Sequence, residues 1–356
     1  MKFSKQITYS GLCSFSQNSE FLSIAKYTSL EIYSASTLLI SYKFTFPHQI
    51  SQISWSPDST LILISFYKKG LCEIRSVKNP KWICSINQNH SEIIFSRWTP
   101  DSRKIIITND LNIKLSIWSL IDNSTIYINS PKSKKKGISF TSNGSYMSLA
   151  ERYNSKDFIG IYDTIDFSLV CRFNVDTFDL NDISWSKDNI FIIILDSILE
   201  CKFLIYTPTG YLIKMIQPYL FGLGIQETKF SLNLKYFCVG FSDGYIRIYD
   251  SLNWNFIEEL NHNINILEKD SLVNIFKEKE IEGNNNFSKN KECIFPFKLN
   301  NINFKVIGKI SQIEFSFDSK LIASRNDSIP DTIFIWEVNS LTLNSVIIFI
   351  KNVKKF

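Results

Sequence analysis

The sequence is organised around a short phrase that recurs along the chain. Each copy joins an apolar run ending in an aromatic residue, a polar turn and a second apolar run, as in ISWSPDSTLILI at Ile53–Ile64. The other copies are Cys13–Ile24, Ser96–Ile107, Ile138–Leu149, Ile183–Ile194, Thr228–Val239 and Ile313–Ser324. A fixed internal period decides the architecture of a repeat protein, so this feature constrains the fold most strongly.

The aromatic residue of each phrase sets the period. These residues are Phe15, Trp55, Trp98, Phe140, Trp185, Phe230 and Phe315, and the first five spacings between them lie between 40 and 45 residues. This is the length expected of a four-stranded propeller blade. The last spacing, 85 residues, is nearly two periods. It predicts an insertion before the final blade, which we place at 261–305.

A second motif follows each phrase, at the position of the third strand of a blade. It reads LEIYS at Leu30–Ser34, LSIWS at Leu115–Ser119 and IFIWE at Ile333–Glu337, with an aromatic residue followed by Ser, Asp, Thr or Glu in most copies. This is the position of the WD dipeptide in WD repeats. We therefore predict an all-β fold, a seven-bladed WD-repeat β-propeller that forms one domain over residues 1–356.

The insertion and the last blade carry two further expectations. The polar, low-complexity run Gly283–Asn286 predicts that the long insertion at 261–305 is partly disordered. The outer strand of the last blade is predicted to be Leu343–Ile350, the N-terminal Phe3–Tyr9, or both.

Composition excludes several classes of partner. The chain has 39 Lys and Arg against 34 Asp and Glu, a net charge of +5, which is too small and too dispersed to predict nucleic-acid binding. The N-terminus lacks the apolar core of a signal peptide, and no run approaches the roughly 18 apolar residues of a membrane helix. The seven cysteines form no C-x-x-C pair. We therefore expect a cytosolic protein in a reducing compartment, without membrane contact.

The sequence offers no catalytic or metal-binding motif. Its three histidines, His48, His90 and His262, have no zinc-ligand spacing, and neither a phosphate-binding glycine loop nor a nucleophile elbow occurs. We predict no catalytic, cofactor-binding or metal-binding residues, and no enzyme activity. All three histidines are predicted to be structural. His48 and His90 precede a repeat phrase, where propeller blades often use a histidine in a buried hydrogen-bond relay, and His262 opens the insertion. Asp196 and Glu200 are predicted to lie at a turn and strand end.

Propeller geometry places the charged loops together. We label the four strands of each blade a to d, from the inner strand outwards in chain order. The connections from b to c and from d to the next a then lie on one face of the propeller. We predict that this face, together with the insertion, binds the partner. Its candidate residues are Lys68, Lys69, Lys132, Lys134, Lys135, Lys136, Arg152, Lys156, Arg325 and Asp327. Two alternatives remain open at this point: Arg152 and Arg325 only brace the turns Arg152–Asp157 and Arg325–Asp331, and the basic loop is only a solvated connection.

Four segments carry a resemblance to a known family. They are YKKGLCEIRSVKNPKW at Tyr67–Trp82, LAERYNSKDFIGIYD at Leu149–Asp163, VDTFDLNDISWS at Val175–Ser186 and RNDSIPDTIFIWEV at Arg325–Val338. With the surrounding repeats, over roughly Met1–Leu260 and Ile310–Leu341, the chain resembles the WD-repeat family of the spindle-pole microtubule-anchoring complex. That family includes the WD-repeat protein encoded antisense to a p53-family tumour-protein gene.

The resemblance implies a non-enzymatic scaffold of the cytoskeleton, at the centrosome or spindle pole. Such a scaffold anchors microtubule minus ends and supports mitotic spindle and cilium assembly. The implied partners are a coiled-coil centrosomal protein and, in addition, a minus-end-directed kinesin and the gamma-tubulin complex. The alternative is an assembly or substrate-receptor scaffold in ubiquitin ligation or RNA processing, because the fold alone does not separate these functions. An enzyme with carboxylates on its loops is a third, weaker alternative.

Overall fold

The computed structural model describes residues 12–88, 92–109, 114–133, 135–219, 222–262, 273–281, 284–289 and 308–353. These residues form seven β-sheets, each built from strands that are consecutive in sequence; six are antiparallel throughout, and the seventh contains one parallel pair. The first strand of one sheet contacts the first strand of the next, as β1 contacts β5 and β21 contacts β27. The sheets are therefore the blades of a seven-bladed β-propeller, as predicted, with strand a innermost.

Blades one to six each contain four strands. Blades one and two comprise β1 (Leu12–Phe15), β2 (Phe21–Lys26), β3 (Ser29–Ser34), β4 (Ile40–Thr45), β5 (Gln52–Trp55), β6 (Leu61–Phe66), β7 (Leu71–Ser76) and β8 (Ile83–Asn87). Blades three and four comprise β9 (Ile93–Trp98), β10 (Lys104–Asn109), β11 (Lys114–Ser119), β12 (Thr125–Asn129), β13 (Ile138–Phe140), β14 (Tyr146–Tyr153), β15 (Lys156–Asp163) and β16 (Leu169–Asn174). Blades five and six comprise β17 (Asp182–Trp185), β18 (Ile192–Leu195), β19 (Phe203–Tyr206), β20 (Leu212–Ile216), β21 (Ile225–Phe230), β22 (Tyr236–Phe241), β23 (Tyr245–Asp250) and β24 (Phe256–Asn261).

The seventh blade has six strands, because part of the insertion joins it. Its usual strands are β27 (Ile310–Phe315), β28 (Leu321–Asn326), β29 (Thr332–Glu337) and β30 (Thr342–Ile348). Outside β30 lie β25 (Asn274–Ile281), which pairs with it in parallel, and β26 (Asn284–Lys289). We predicted that the insertion would rim the loop face; its described part instead extends the sheet edge. The strand β30 confirms the predicted C-terminal outer strand, and Phe3–Tyr9 lies outside the described residues.

The polar turn of the phrase has the same hydrogen bonds in successive blades. In blade two, the Ser56 hydroxyl donates to Asp58 Oδ1 at 2.6 Å and accepts from the Leu61 amide, while Asp58 Oδ1 also accepts from the Thr60 amide. Ser59 adopts a left-handed φ of 59°. Side-chain oxygens that capture nearby amides are what favour Ser and Asp in such turns. The phrase therefore encodes its turn locally.

Neighbouring turns are also joined to one another. The Asn18 amide donates to the Ser59 hydroxyl at 3.1 Å, and the Asp58 amide donates to the Ser102 hydroxyl at 3.0 Å. The Asn233 amide donates to Ser319 in the same way. The hydroxyl at the left-handed position thus links one blade to the next, each bond contributing about 1 kcal/mol.

Six clusters of buried apolar residues lie between consecutive blades, from blades one and two to blades six and seven. Trp55, Trp98 and Trp185 are 5%, 6% and 6% exposed, and each contacts the blade before it. Phe15 differs, because it is 59% exposed. Within the described part of the chain, no such cluster joins blade seven to blade one, so Phe15 does not have the packing that the phrase predicts for it.

Candidate partner-binding face

The connections that carry the predicted charges meet on one face, as the four-stranded order requires. In blade two, the b–c connection is a 3₁₀ turn, Tyr67–Lys69, closed by Gly70 in a left-handed conformation with φ 62°. The Tyr67 side chain anchors it by donating to Gln52, and the Tyr67 amide donates to the Ser51 hydroxyl. Lys68 and Lys69 are exposed. The turn therefore presents two lysines to solvent from a fixed backbone.

Lys132 has a different environment, although it lies in the basic loop. Its ammonium is 2.6 Å from Asp157 and 2.8 Å from Asp179, and its side chain is only 7% exposed. Asp157 is 2% exposed and also accepts from the Leu180 amide at 2.7 Å. The Lys132 ammonium lowers the pKa of Asp179. Lys132 thus ties the d–a connection of blade three to the start of β15 in blade four and to the connection between blades four and five.

Arg152 belongs to the same network. It donates to Asp179 at 2.9 Å and lies 3.7 Å from Asp157. We predicted that 152–157 is a turn. This was wrong: β14 continues to Tyr153, β15 begins at Lys156, and only Asn154 and Ser155 form the turn, both with positive φ. The pairing extends because the ion network holds the ends of both strands.

The next blade repeats this arrangement. Asp196, whose side chain is fully buried, accepts from the amides of Phe178 and Asp179 at 3.0 and 2.9 Å. Lys202 lies 3.1 Å from it. The prediction that Asp196 closes a turn is confirmed. Our sequence reasoning did not single out Asp157 or Asp179, although both lie in segments that carry the family resemblance.

Arg325 and Asp327 form a local brace in blade seven. Arg325 donates to the Ser311 hydroxyl at 2.8 Å and to Asp327 at 2.9 Å, and it also contacts the Val353 carbonyl. Its side chain is 14% exposed. Lys309 lies 3.6 Å from Asp327. Arg325 therefore occupies the bracing role that the sequence left open.

The predicted residues thus separate into two groups. Lys132, Arg152, Arg325 and Asp327 are held by ion pairs within the fold. Lys68, Lys69, Lys135, Lys136 and Lys156 are exposed, and we call these five residues the lysine face. Lys134 lies outside the described residues. A partner with acidic side chains would meet the lysine face without breaking the braces.

Comparison with known proteins identifies the family of the chain. No family model matches the chain. The WD repeat-containing protein WRAP73 of Mus musculus is 30% identical over 381 residues, which cover 100% of this chain and 82% of the mouse protein. The chain belongs to the WD-repeat protein family. An uncharacterized WD repeat-containing protein of Schizosaccharomyces pombe is 20% identical, over 75% of this chain and 56% of its own length.

A solved structure supports the architecture of this WD-repeat chain. The dihydro-haem d1 dehydrogenase NirN superimposes with a TM-score of 0.63, covering 95% of this chain and 65% of that one. Its sequence identity is 9%, so the likeness concerns the fold alone.

One blade of this WD-repeat protein contains a complete histidine relay. The Trp336 indole donates to the Ser324 hydroxyl at 2.9 Å, and His262 Nε2 lies 2.9 Å from the same oxygen. His262 Nδ1 lies 3.1 Å from the Gly244 carbonyl, which can only accept. The network therefore assigns a neutral ring protonated on Nδ1. Burial lowers the pKa of His262 to about 4.

The relay tests our prediction for the histidines in part. His262 is structural, as expected, because it joins blade six to blade seven. The relay itself was predicted for His48 and His90 and is found at His262 instead. His48 contacts the edge of the Phe66 ring, and His90 lies outside the described residues. Among the residues that the structure describes, no group of three His, Cys, Asp or Glu is placed to hold a metal ion. In the same residues, no helix is long and apolar enough to cross a bilayer.

Proposed function

We propose that this WD-repeat protein is a scaffold of the spindle pole or centrosome, which helps to anchor microtubule minus ends and to assemble spindle or ciliary structures. The observation that carries the proposal is the 30% identity to mouse WRAP73 along the whole chain. It is supported by the four segments through which the sequence resembles the spindle-pole family. The proposed partners are a coiled-coil centrosomal protein, a minus-end-directed kinesin and the gamma-tubulin complex.

The lysine face is the surface that we propose for the coiled-coil partner. Its side chains project from three neighbouring connections: the b–c turn of blade two, the d–a connection of blade three and the b–c hairpin of blade four. Exposed lysines attract acidic surfaces over about 8 Å at physiological salt. A coiled coil presents rows of charged side chains along its flanks, so an acidic flank would fit this row.

A charge-reversal experiment tests the surface. The triple variant Lys69→Glu, Lys135→Glu, Lys156→Glu is expected to lose the coiled-coil partner on affinity capture from dividing cells, and to lose its focus at spindle poles by fluorescence microscopy. Its melting temperature should match that of the wild-type protein, because all three side chains are exposed.

The matched control reverses three exposed charges on the opposite face. Lys78 and Lys81 lie in the c–d connection of blade two, and Arg103 lies in the a–b turn of blade three. The variant Lys78→Glu, Lys81→Glu, Arg103→Glu should retain both partner and localisation. Wild-type recovery of ubiquitin-ligase or RNA-processing subunits, with no signal at spindle poles, would reject the proposed function.

A further inference from the structure

The opposite face of the propeller carries a second distinctive surface, formed by the a–b turns of blades five to seven. The second turn residue is Pro57 in blade two and Pro100 in blade three, but Lys187, Leu232 and Phe317 in blades five, six and seven. Phe317 is 94% exposed and Leu232 is 49% exposed. Two large apolar side chains therefore stand in solvent on adjacent blades.

These side chains do not stabilise their own turns. In blade seven, the Ser316 hydroxyl donates to Asp318 at 2.6 Å and accepts from the Leu321 amide at 2.9 Å. In blade six, Ser231 makes the same bonds to Asn233 and Tyr236. Since the turn is complete without the second residue, its side chain is available to a partner, and contiguous exposed apolar groups mark binding sites.

A cavity of about 430 Å³ opens beside these turns, between the inner strands of blades five, six and seven. Its walls include Ser184, Lys187, Lys229, Phe230, Glu314 and Phe315. The volume lies within the range of ligand-binding pockets, roughly 300–1,000 Å³. It is large enough to hold one or two side chains of a peptide.

The two lysines that line the cavity differ in their partners. Lys229 forms an ion pair with Glu314 at 2.8 Å and lies 3.9 Å from Glu227, so its charge is offset. Lys187 makes no ion pair with any residue that the structure describes, and the buried Ser184 hydroxyl oxygen has no hydrogen-bond partner there. Burial, followed by the positive charge of Lys229, lowers the pKa of Lys187. A carboxylate would satisfy both the ammonium and the hydroxyl.

We propose that this cavity and its rim bind an extended acidic peptide segment of a partner protein, placing a carboxylate beside Lys187 and Ser184 and a bulky apolar side chain on Leu232 and Phe317. This goes beyond the proposed function, because the site lies on the face opposite the lysine face. Charge complementarity decides the partner chemistry: Lys187 is a lining cation that makes no ion pair with a described residue, and Leu232, Phe230 and Phe315 supply apolar surface beside it. A scaffold with both surfaces can hold two partners at once.

Phage display of random twelve-residue peptides against the purified full chain tests the proposal. The bait carries Lys69→Glu, Lys135→Glu and Lys156→Glu, so that acidic peptides are not captured by the lysine face. Selected peptides should combine Asp or Glu with Leu, Phe or Trp. The best peptide, labelled for fluorescence anisotropy, should bind at least fivefold more weakly to Lys187→Gln and to Phe317→Ser.

A control variant tests whether the loss of an exposed apolar side chain elsewhere on this face also weakens peptide binding. Ile165, in the c–d connection of blade four, is 82% exposed on the same face but does not line the cavity. Ile165→Ser should bind the peptide as tightly as the bait itself. The proposal is overturned by a selection without acidic and apolar enrichment, or by equal binding to the bait, Lys187→Gln and Phe317→Ser. Neither result bears on localisation at spindle poles, which the lysine-face variants measure.

Discussion

Replacement of Lys132 by Met should destabilise the whole propeller, although the residue lies in a loop that reads as a solvated basic run. The change removes the ammonium that lies 2.6 Å from the Asp157 carboxylate, whose side chain is 2% exposed. Removing one partner of a buried ion pair typically costs about 3–5 kcal/mol, because the other charge remains buried. Asp157 keeps its bonds from the Leu180 amide and the Thr177 hydroxyl. We therefore expect the lower end, about 3 kcal/mol.

Two further variants isolate the ion pair from the loop. Lys135→Met removes an exposed lysine from the same connection and should change the free energy of unfolding by less than about 0.5 kcal/mol. The double variant Lys132→Met, Asp157→Asn removes both charges and should recover at least half of the loss. The side-chain carbonyl introduced by Asp157→Asn would still accept from the Leu180 amide, while no charge is stranded.

Urea unfolding followed by tryptophan fluorescence measures these differences, and a thermal melt checks them. At about 2 °C per kcal/mol for a large domain, the melting temperature of Lys132→Met should fall by about 6 °C. If Lys132→Met is as stable as Lys135→Met, the pair is not a structural brace. Lys132 would then belong with the lysines available to a partner, and the separation of the predicted residues into two groups would be wrong.

Three other perturbations follow from single contacts. The pKa of His262 is about 4 in the folded protein and about 6.5 in the unfolded chain. Its contribution to stability is therefore complete above pH 6.5 and declines on acidification, by about 2 kcal/mol at pH 5. His262→Gln should remove this part of the pH dependence in urea unfolding. Gly240→Ala would place a Cβ 2.9 Å from both Ile310 Cγ2 and Ile313 Cδ1 and should cost about 1–3 kcal/mol, a loss that Ile313→Val, which removes that Cδ1, reduces in a thermal melt. Ser102→Ala removes the acceptor of the Asp58 amide and should lower the free energy of unfolding by about 1 kcal/mol, measured by urea titration.

The blades could be predicted from the sequence because each phrase specifies its turn through local bonds. Ser56 and Asp58 form the same contacts as their equivalents in other blades, so a short pattern suffices. The packing of Phe15 could not be predicted in this way, because its burial depends on a neighbouring blade rather than on its own phrase. The parallel pairing of β25 with β30 had no signal at all, since the insertion contains no copy of the phrase.

In the candidate site, too, contacts with distant parts of the chain could not be predicted from the sequence. Lys132 and Lys135 are equivalent in the sequence, as members of one basic run. They differ in the fold because Lys132 is approached by Asp157, from β15, and by Asp179, from the connection between blades four and five. Similarly, Arg325 could be recognised as charged and turn-like, but not as the donor to Ser311. Charge patterns predict which face is polar, whereas the distinction between brace and binding residue requires the distant partners.

The two faces of the propeller differ in whether the residues that stabilise the fold are also near those proposed to bind a partner. On the face that carries the exposed lysines, bracing and exposed charges share the same connections. Lys132 cannot change there without a cost in stability, because its partner Asp157 is buried. The pair of Arg152 and Asp179 is about half exposed and contributes little. In the a–b turns, the bonds of the first and third residues complete the structure, and the second position is free of that constraint. Phe317 can therefore be replaced without loss of the fold, and such a position is where recognition can vary independently of stability.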